Sequence, residues 1–228
     1  MPEKDTERLS EEVRQNLDLL RKDLPRRIDI LAISRRSKIP WKSLEYRESL
    51  IWRFADLGPG AYDEFCKERM VSAITLTRAA AETLAAMWCL RNQIQIALDS
   101  RAVGDLHEHV MKGWMGSSNP DADFPSAHRV YKHLIKRTDE DSFRESYETL
   151  SEFSHPNYAG AAGLFSRSNW REMTTEFGPD TERLRAARSI CINCLSATVM
   201  MFMQMYNQVG ESIPDLAKLC EELLDGKS

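Results

Sequence analysis

Polar side chains that can do acid–base chemistry recur along one predicted helix of this chain. Tyr147, Ser151 and His155 are spaced i, i+4, i+8, so at 3.6 residues per turn they share a face with Leu150. Histidine is the side chain whose charge can change near neutral pH, and hydroxyl groups can donate or accept protons. Pro156 disfavours helical geometry at the residue before it, so we expect the imidazole at the helix C-terminus. The stripe therefore supplies three candidate catalytic residues.

Two charged residues interrupt an otherwise apolar helix upstream. Residues 70–90 carry only Arg78 and Glu82 as charges, and these lie one helical turn apart. Leaving one partner of a buried pair unmatched costs about 3–5 kcal/mol, so the two must find partners. In a site, Glu82 would be a base or ligand and Arg78 an anion clamp. Alternatively, the two form an internal ion pair that fixes how two core helices pack.

Because buried polar groups must be hydrogen-bonded, we expect the two helices to satisfy each other. The residues predicted to converge are Arg78, Glu82, Tyr147, Ser151, Glu152 and His155. Candidate catalytic residues are therefore His155, Glu82, Arg78, Tyr147 and Ser151, and candidate ligand-binding residues are Arg78, Glu82, Glu152 and Asn157. A closed, paired network would be a structural joint, whereas an open pocket would be an active or ligand site.

A metal site is a further alternative. Glu152 and His155 have the i, i+3 spacing of carboxylate-bridged di-iron bundles, but the chain holds no second copy of that motif. A mononuclear site from Glu82, Glu152 and His155 stays open. Cys191 and Cys194 lie in an apolar helix without a second pair, which favours buried apolar residues over zinc ligands. We expect no cofactor.

The stretch from Tyr147 to Phe165 resembles a family signature. It has the form Tyr-x-x-Leu-Ser-Glu-x-x-His-Pro-Asn-Tyr-x-Gly, and Thr77-Arg78-x-x-x-Glu82-Thr83 is a second matching element. The pattern is similar to that of a group of uncharacterised, mainly bacterial helical proteins that is placed near the HEPN helical domains. The resemblance implies an all-α fold and, through HEPN, dimers and ribonuclease chemistry.

The ribonuclease motif of HEPN domains, Arg-x4–6-His, does not carry over. The pair at that spacing is Arg101 and His107, with Gly104 between them, and one such match is expected by chance. The polar residue that usually follows the family's arginine is absent, because Ala102 stands there. The resemblance thus favours the fold more than the catalytic chemistry.

Composition is typical of a soluble globular protein. Of 228 residues, 42% are hydrophobic and 29% charged, and the net charge of −4 argues against a uniformly basic nucleic-acid binder. Five cysteines without a paired framework, and no signal peptide at the N-terminus, predict a reducing cytoplasm. The nearly uncharged stretches 70–90 and 189–206 contain internal polar residues, so we expect core helices and no membrane partner.

A local basic excess lies between residues 21 and 42. This segment contains eight basic residues and two aspartates, and Trp41 is next to the last basic residue in the sequence. This segment could bind phosphates, but a solvated helix face is the preferred interpretation.

Helical signals dominate the chain. A stripe from Leu9 to Leu24 ends at Pro25, and helices are predicted over 43–57, 126–138 and 141–155. One long helix or two nearly continuous ones are expected between 61 and 103, and Ser100 is a candidate cap for a new helix that reaches Trp114. The period is lost between 161 and 177, where alternation predicts a β-hairpin. A long helix should then run to Gly210, and Pro214 should open a terminal one. The predicted fold is an all-α bundle, with an N-terminal helical extension at 1–58 and the bundle domain at 59–228.

The sequence supports three functions. The first is a non-catalytic binding or regulatory protein acting as a homodimer or with a protein partner, because no complete catalytic set is present. The second is an HEPN-like nucleic-acid binding protein or ribonuclease centred on His155. The third is the metal-binding helical protein built on Glu82, Glu152 and His155.

Overall fold

The computed structural model describes residues 3–22, 24–116 and 141–226 and confirms the all-α fold with long central helices. Its helices are α1 Glu3–Lys22, α2 Ile30–Ile33, α3 Ile39–Cys66, α4 Met70–Ser100, α5 Leu106–Met115, α6 Asp141–Ser154, α7 Gly163–Phe165 and α8 Thr181–Asp225, with a π-helical turn at Tyr158–Ala162. Strands β1 Ser166–Asn169 and β2 Thr174–Phe177 form an antiparallel hairpin with Ser166 opposite Phe177, which confirms the hairpin expected between 161 and 177. The helix predicted over 126–138 lies outside the described residues.

Two predicted helix ends were wrong, and the helix expected to start at Ser100 begins at Leu106, because α4 runs to Ser100. Helix α3 continues through Gly58-Pro59-Gly60, and α8 continues through Gly210 and Pro214. A proline inside a helix costs about 3 kcal/mol, so burial of the neighbouring turns must offset this penalty. Phe65 on α3 and Val209 on α8 are both fully buried. Tertiary packing here overrides the local helix propensity.

The chain forms two compact units, each assembled from three separate segments. Unit 1 is Met1–Lys22, Ala55–Glu82 and Thr138–Met200, and unit 2 is Asp23–Phe54, Thr83–Arg137 and Met201–Ser228. The domain boundary predicted at residue 58 falls inside α3, and that division stays a prediction.

Each unit has an apolar core supplied by several helices. In unit 1 the fully buried side chains include Val13, Phe65, Ile74, Ile192 and Leu195. In unit 2 the rings of Phe54 and Phe202 stack with their centroids 3.9 Å apart, and Leu84, Leu106 and Leu216 are buried. These cores fix the helices that carry the polar residues considered next.

Among the described residues, α8 is the helix whose length and composition would allow it to cross a membrane. Half of its most apolar window is buried within the structure, and core helices of soluble proteins meet the same criterion.

Candidate functional site

Arg78, Glu82 and Tyr147 meet in unit 1, as the sequence predicts. The Nε and Nη2 atoms of Arg78 donate to the Tyr147 hydroxyl at 3.2 and 3.1 Å, and this hydroxyl donates to Glu82 Oε1 at 3.2 Å. Arg78 Nε lies 3.6 Å from Glu82 Oε1. The tyrosine hydroxyl of α6 thus bridges both members of an ion pair on α4. This arrangement joins two helices through groups that satisfy one another.

The cluster is less buried than its apolar sequence context predicts. The side chains of Arg78 and Glu82 are 27% and 36% exposed. Water therefore screens the pair, and its expected contribution falls to about 1 kcal/mol or less. The 3–5 kcal/mol penalty for a stranded buried charge does not apply at this degree of exposure.

Glu152 and Asn157 form a second group at the end of α6. Asn157 Nδ2 donates to Glu152 Oε2 at 2.8 Å, and its Oδ1 accepts from the Gly160 backbone N–H at 3.0 Å. A Cβ on Gly160 would lie 2.5 Å from the carbonyl oxygen of Phe153 and closer still to that of His155. Within the family-like signature, these residues thus form the turn by which the chain leaves α6.

Among the described residues, the side chains of His155 and Ser151 make no hydrogen bond with either group. Helix α6 ends at Ser154 and the His155 backbone N–H donates to the Ser151 carbonyl at 3.2 Å, so His155 lies at the helix C-terminus, as expected, and its side chain is exposed. Within the described part of the chain, the imidazole makes no hydrogen bond or ion pair. The Ser151 hydroxyl oxygen is buried and has no hydrogen-bond partner among the described residues. Pro156 explains the helix end, because it disfavours helical geometry at His155.

The described residues hold no group of three His, Cys, Asp or Glu side chains able to bind a metal ion. Glu82 is hydrogen-bonded to Tyr147, and Glu152 to Asn157. Arg101, the arginine at the Arg-x4–6-His spacing, forms an ion pair with Glu222, with Nη2 2.6 Å from Oε2.

Cys191 and Cys194 are buried, in agreement with their interpretation as small core residues. Burial raises the pKa of the Cys191 thiol to about 11, and its sulfur lies 3.6 Å from the Thr77 hydroxyl. Such a thiol stays protonated near neutral pH and is a poor nucleophile or metal ligand.

Sequence reasoning missed a polar network in unit 2. The Arg47 Nε donates to the Tyr206 carbonyl at 2.9 Å, the Arg47 guanidinium pairs with Glu48, and the Tyr206 hydroxyl donates to Glu48 Oε2 at 2.7 Å. The side chains of Arg47 and Glu48 are only 12% and 13% exposed. A Cβ on Gly210 would lie 2.7 Å from Arg47 Nη2. The sequence signal that could have indicated this network is Gly210, one helical turn after Tyr206. A residue without a side chain at that position leaves room for the Arg47 guanidinium.

Comparison of this chain with protein-family models, with curated proteins and with solved structures finds no match. The resemblance of its Tyr147–Phe165 stretch to the HEPN-related group stays a prediction.

Proposed function

We propose that this protein is a non-catalytic binding or regulatory protein that acts as a homodimer. The observation that carries this proposal is the apolar surface of the hairpin in unit 1. Trp170, Met173 and Phe177 are 80%, 80% and 83% exposed. Exposed apolar side chains of this size on one short element are typical of interaction surfaces, because their burial contributes about 1.5–3 kcal/mol each.

The hairpin is presented from a well-anchored base. The backbone N–H groups of Gly178 and Asp180 donate to the carbonyls of Phe165 and Leu164 at 2.9 and 2.8 Å. The Asp180 carboxylate accepts from Arg167 Nη2 at 3.2 Å and from the Arg183 backbone N–H at 3.1 Å. These hydrogen bonds lower the pKa of Asp180, so the anchor is charged at neutral pH. The hairpin therefore has a fixed root at the start of α8.

Beyond this root the hairpin has little to stabilise it. Residues 167–179 are all exposed, so neither face of the two strands is covered. An isolated two-stranded hairpin is marginally stable in water, and its two edges offer unpaired backbone groups to another chain. Both properties favour a bound partner at the hairpin.

Charge favours a second copy of the chain as that partner. The hairpin contains two arginines, Arg167 and Arg171, and two glutamates, Glu172 and Glu176. A twofold contact places the same surface on both sides, so a surface carrying equal numbers of both signs is complementary to itself. Hairpin pairing would also extend each two-stranded sheet across the dimer axis.

Sedimentation equilibrium of the wild type beside a Trp170→Ser/Phe177→Ser double variant tests the proposal. We expect a dimer whose dissociation constant rises at least about a hundredfold in the double variant, while circular dichroism stays unchanged. Met200→Ser is the matched control, because Met200 is 61% exposed and lies on the Met-rich part of α8. A monomeric wild type at the highest soluble concentration, or a dimer broken only by Met200→Ser, would contradict the hairpin interface.

A second candidate function is HEPN-like nucleic-acid binding or cleavage centred on His155. The observation in its favour is the exposed imidazole at the end of α6, next to the turn made by Asn157. Incubation with mixed RNA, beside a His155→Ala variant, is the test. Breakdown by the wild type alone would support cleavage, and equal breakdown by both proteins would indicate a contaminating nuclease.

A further inference from the structure

A basic, partly apolar surface surrounds the short helix α2 in unit 2. Four of its exposed basic residues are Arg26, Arg27, Arg35 and Lys38, and we call this surface the α2 patch. Residues 24–38 contain five basic residues against Asp29 alone, a local net charge of +4 in a chain whose net charge is −4. The charge of this segment is therefore opposite to that of the whole protein.

These four basic residues have no carboxylate partner in the part of the chain that the structure describes. Among the described residues none of them forms an ion pair, whereas their neighbour Arg36 lies 2.5 Å from Asp225 and 3.6 Å from Glu221. The Asp29 carboxylate is occupied by the backbone of α2, where it accepts from Leu31 N at 3.1 Å and Ala32 N at 3.3 Å. The positive charge of these four residues is thus not neutralised by a described carboxylate.

Apolar side chains project between these charges. Leu31 is 69% exposed, Ile30 is 40% exposed, and Trp52 is 41% exposed beside them. The Trp52 ring is held by a hydrogen bond from Nε1 to the Pro25 carbonyl at 2.8 Å, with the Arg26 guanidinium 5.4 Å from its centroid. This surface exposes both apolar side chains and cations. A ligand that matches it must therefore present negatively charged groups together with hydrocarbon.

The patch is held in a defined conformation. The Asp29 cap starts α2, and the Ser34 backbone N–H donates to the Ile30 carbonyl at 3.2 Å to end it. The Ser34 hydroxyl donates to Glu221 at 2.8 Å, which fixes this segment to the end of α8 within unit 2. Leu31 therefore protrudes from a short, tethered helix.

We propose that the α2 patch binds the surface of an anionic lipid membrane. Leu31 and Ile30 would enter the boundary between headgroups and acyl chains, and the four basic residues would bind lipid phosphate and carboxylate groups. Nucleic acid would use the same cations but gives the aliphatic side chains no place to be buried. Stacking of a base on the Trp52 ring would compete with the Arg26 guanidinium, which lies 5.4 Å from the ring centroid. This peripheral binding replaces the expectation of no membrane partner, which was argued only against membrane-spanning helices, and it does not depend on the hairpin dimer.

Co-sedimentation of the full-length protein with vesicles tests this proposal. The probes are phosphatidylcholine vesicles with about 30% phosphatidylserine, and vesicles of phosphatidylcholine alone. We expect binding to the anionic vesicles only, and weakening by salt, because the attraction falls off within a Debye length. Leu31→Ser should weaken binding about tenfold, and Arg27→Gln/Arg35→Gln about five-fold per removed charge.

Matched controls separate the patch from general exposure. Ile96→Ser removes an apolar side chain that is 58% exposed in the same unit. Arg8→Gln/Arg69→Gln removes two cations whose side chains are 74% and 64% exposed. Both controls should bind like the wild type. Equal binding to neutral vesicles, unchanged binding by Leu31→Ser, or a charge-dependent preference for RNA over vesicles would each overturn the proposal.

Discussion

The guanidinium carbon of Arg47 lies 3.4 Å from the centroid of the Tyr206 ring, on the side where Gly210 presents no side chain. Arginine stacked on an aromatic face and paired with a carboxylate is well placed at a site with little solvent. This contact therefore makes Gly210 a residue whose small size matters to unit 2.

Gly210→Ala should destabilise the protein by about 1–3 kcal/mol, because the new Cβ displaces Arg47 from Tyr206 and Glu48. Urea denaturation measures the change. Gly60→Ala is the control: it is also inside a helix, but its Cβ would meet only Leu76 at an ordinary 3.6 Å. That variant should be neutral or up to about 1 kcal/mol more stable, as helix propensity predicts. Equal effects of the two substitutions would contradict the role of Gly210.

Stability should fall at alkaline pH through two tyrosines of unit 2. Burial raises the pKa of Tyr46 to about 12, and burial together with the hydrogen bond to Glu48 raises the pKa of Tyr206. Above pH 10 the unfolded chain loses these protons while the folded protein retains them, so the free energy of unfolding decreases as pH rises. Each group contributes a slope of up to about 1.4 kcal/mol per pH unit. Urea titrations between pH 9 and about 11 should show a shallower slope for Tyr46→Phe; identical slopes would contradict the prediction.

Gly160→Ala should lower the free energy of unfolding by about 3 kcal/mol, because a Cβ there overlaps the backbone carbonyls at the end of α6. Thermal denaturation is sufficient to measure a loss of this size. Asn157→Ala, which removes the hydrogen bond to Gly160 without a clash, should cost about 1 kcal/mol. The prediction is checked by which variant loses more free energy of unfolding. A larger loss for Asn157→Ala would mean that the Asn157 hydrogen bond, and not the space at Gly160, stabilises this turn.

The Arg78–Glu82–Tyr147 cluster should behave as a modest structural joint. A double-mutant cycle with Tyr147→Phe and Glu82→Gln should give a coupling free energy of about 1 kcal/mol, the size expected for a partly exposed polar contact. Denaturation of the four proteins measures it. A coupling near zero would mean that solvent already separates the two groups, and one above about 3 kcal/mol would mean deep burial.

Local patterns predicted much of this structure, and the failures share one physical cause. The hairpin and the meeting of Arg78, Glu82 and Tyr147 follow from periodicity and from the need of polar groups for partners. The continuation of α3 through Pro59 depends on burial by residues distant in sequence, which no local signal reveals. The Arg47–Tyr206 contact likewise joins residues that lie 159 positions apart.

His155 shows what the local signals do and do not predict. Pro156 predicted that the imidazole lies at the helix C-terminus, and α6 does end at Ser154, with the His155 backbone N–H still donating to the Ser151 carbonyl at 3.2 Å. The i, i+4, i+8 spacing also predicted that His155 joins the Arg78–Glu82–Tyr147 cluster, but its side chain is exposed and makes no hydrogen bond with the described residues of that cluster. A residue at the last turn of a helix thus keeps its place in the period without sharing the burial of the earlier residues.

The free cysteines give each unit its own chemical reporter of opening. Cys191 in unit 1 and Cys220 in unit 2 are buried, and burial raises the pKa of both thiols. Alkylating reagents attack thiolates, so these two positions become labelled when the surrounding helices open, whereas Cys66 is exposed in the folded protein. Mass spectrometry of labelled peptides over time then yields a separate opening rate for each unit. Equal rates would mark one cooperative folding unit, and unequal rates two.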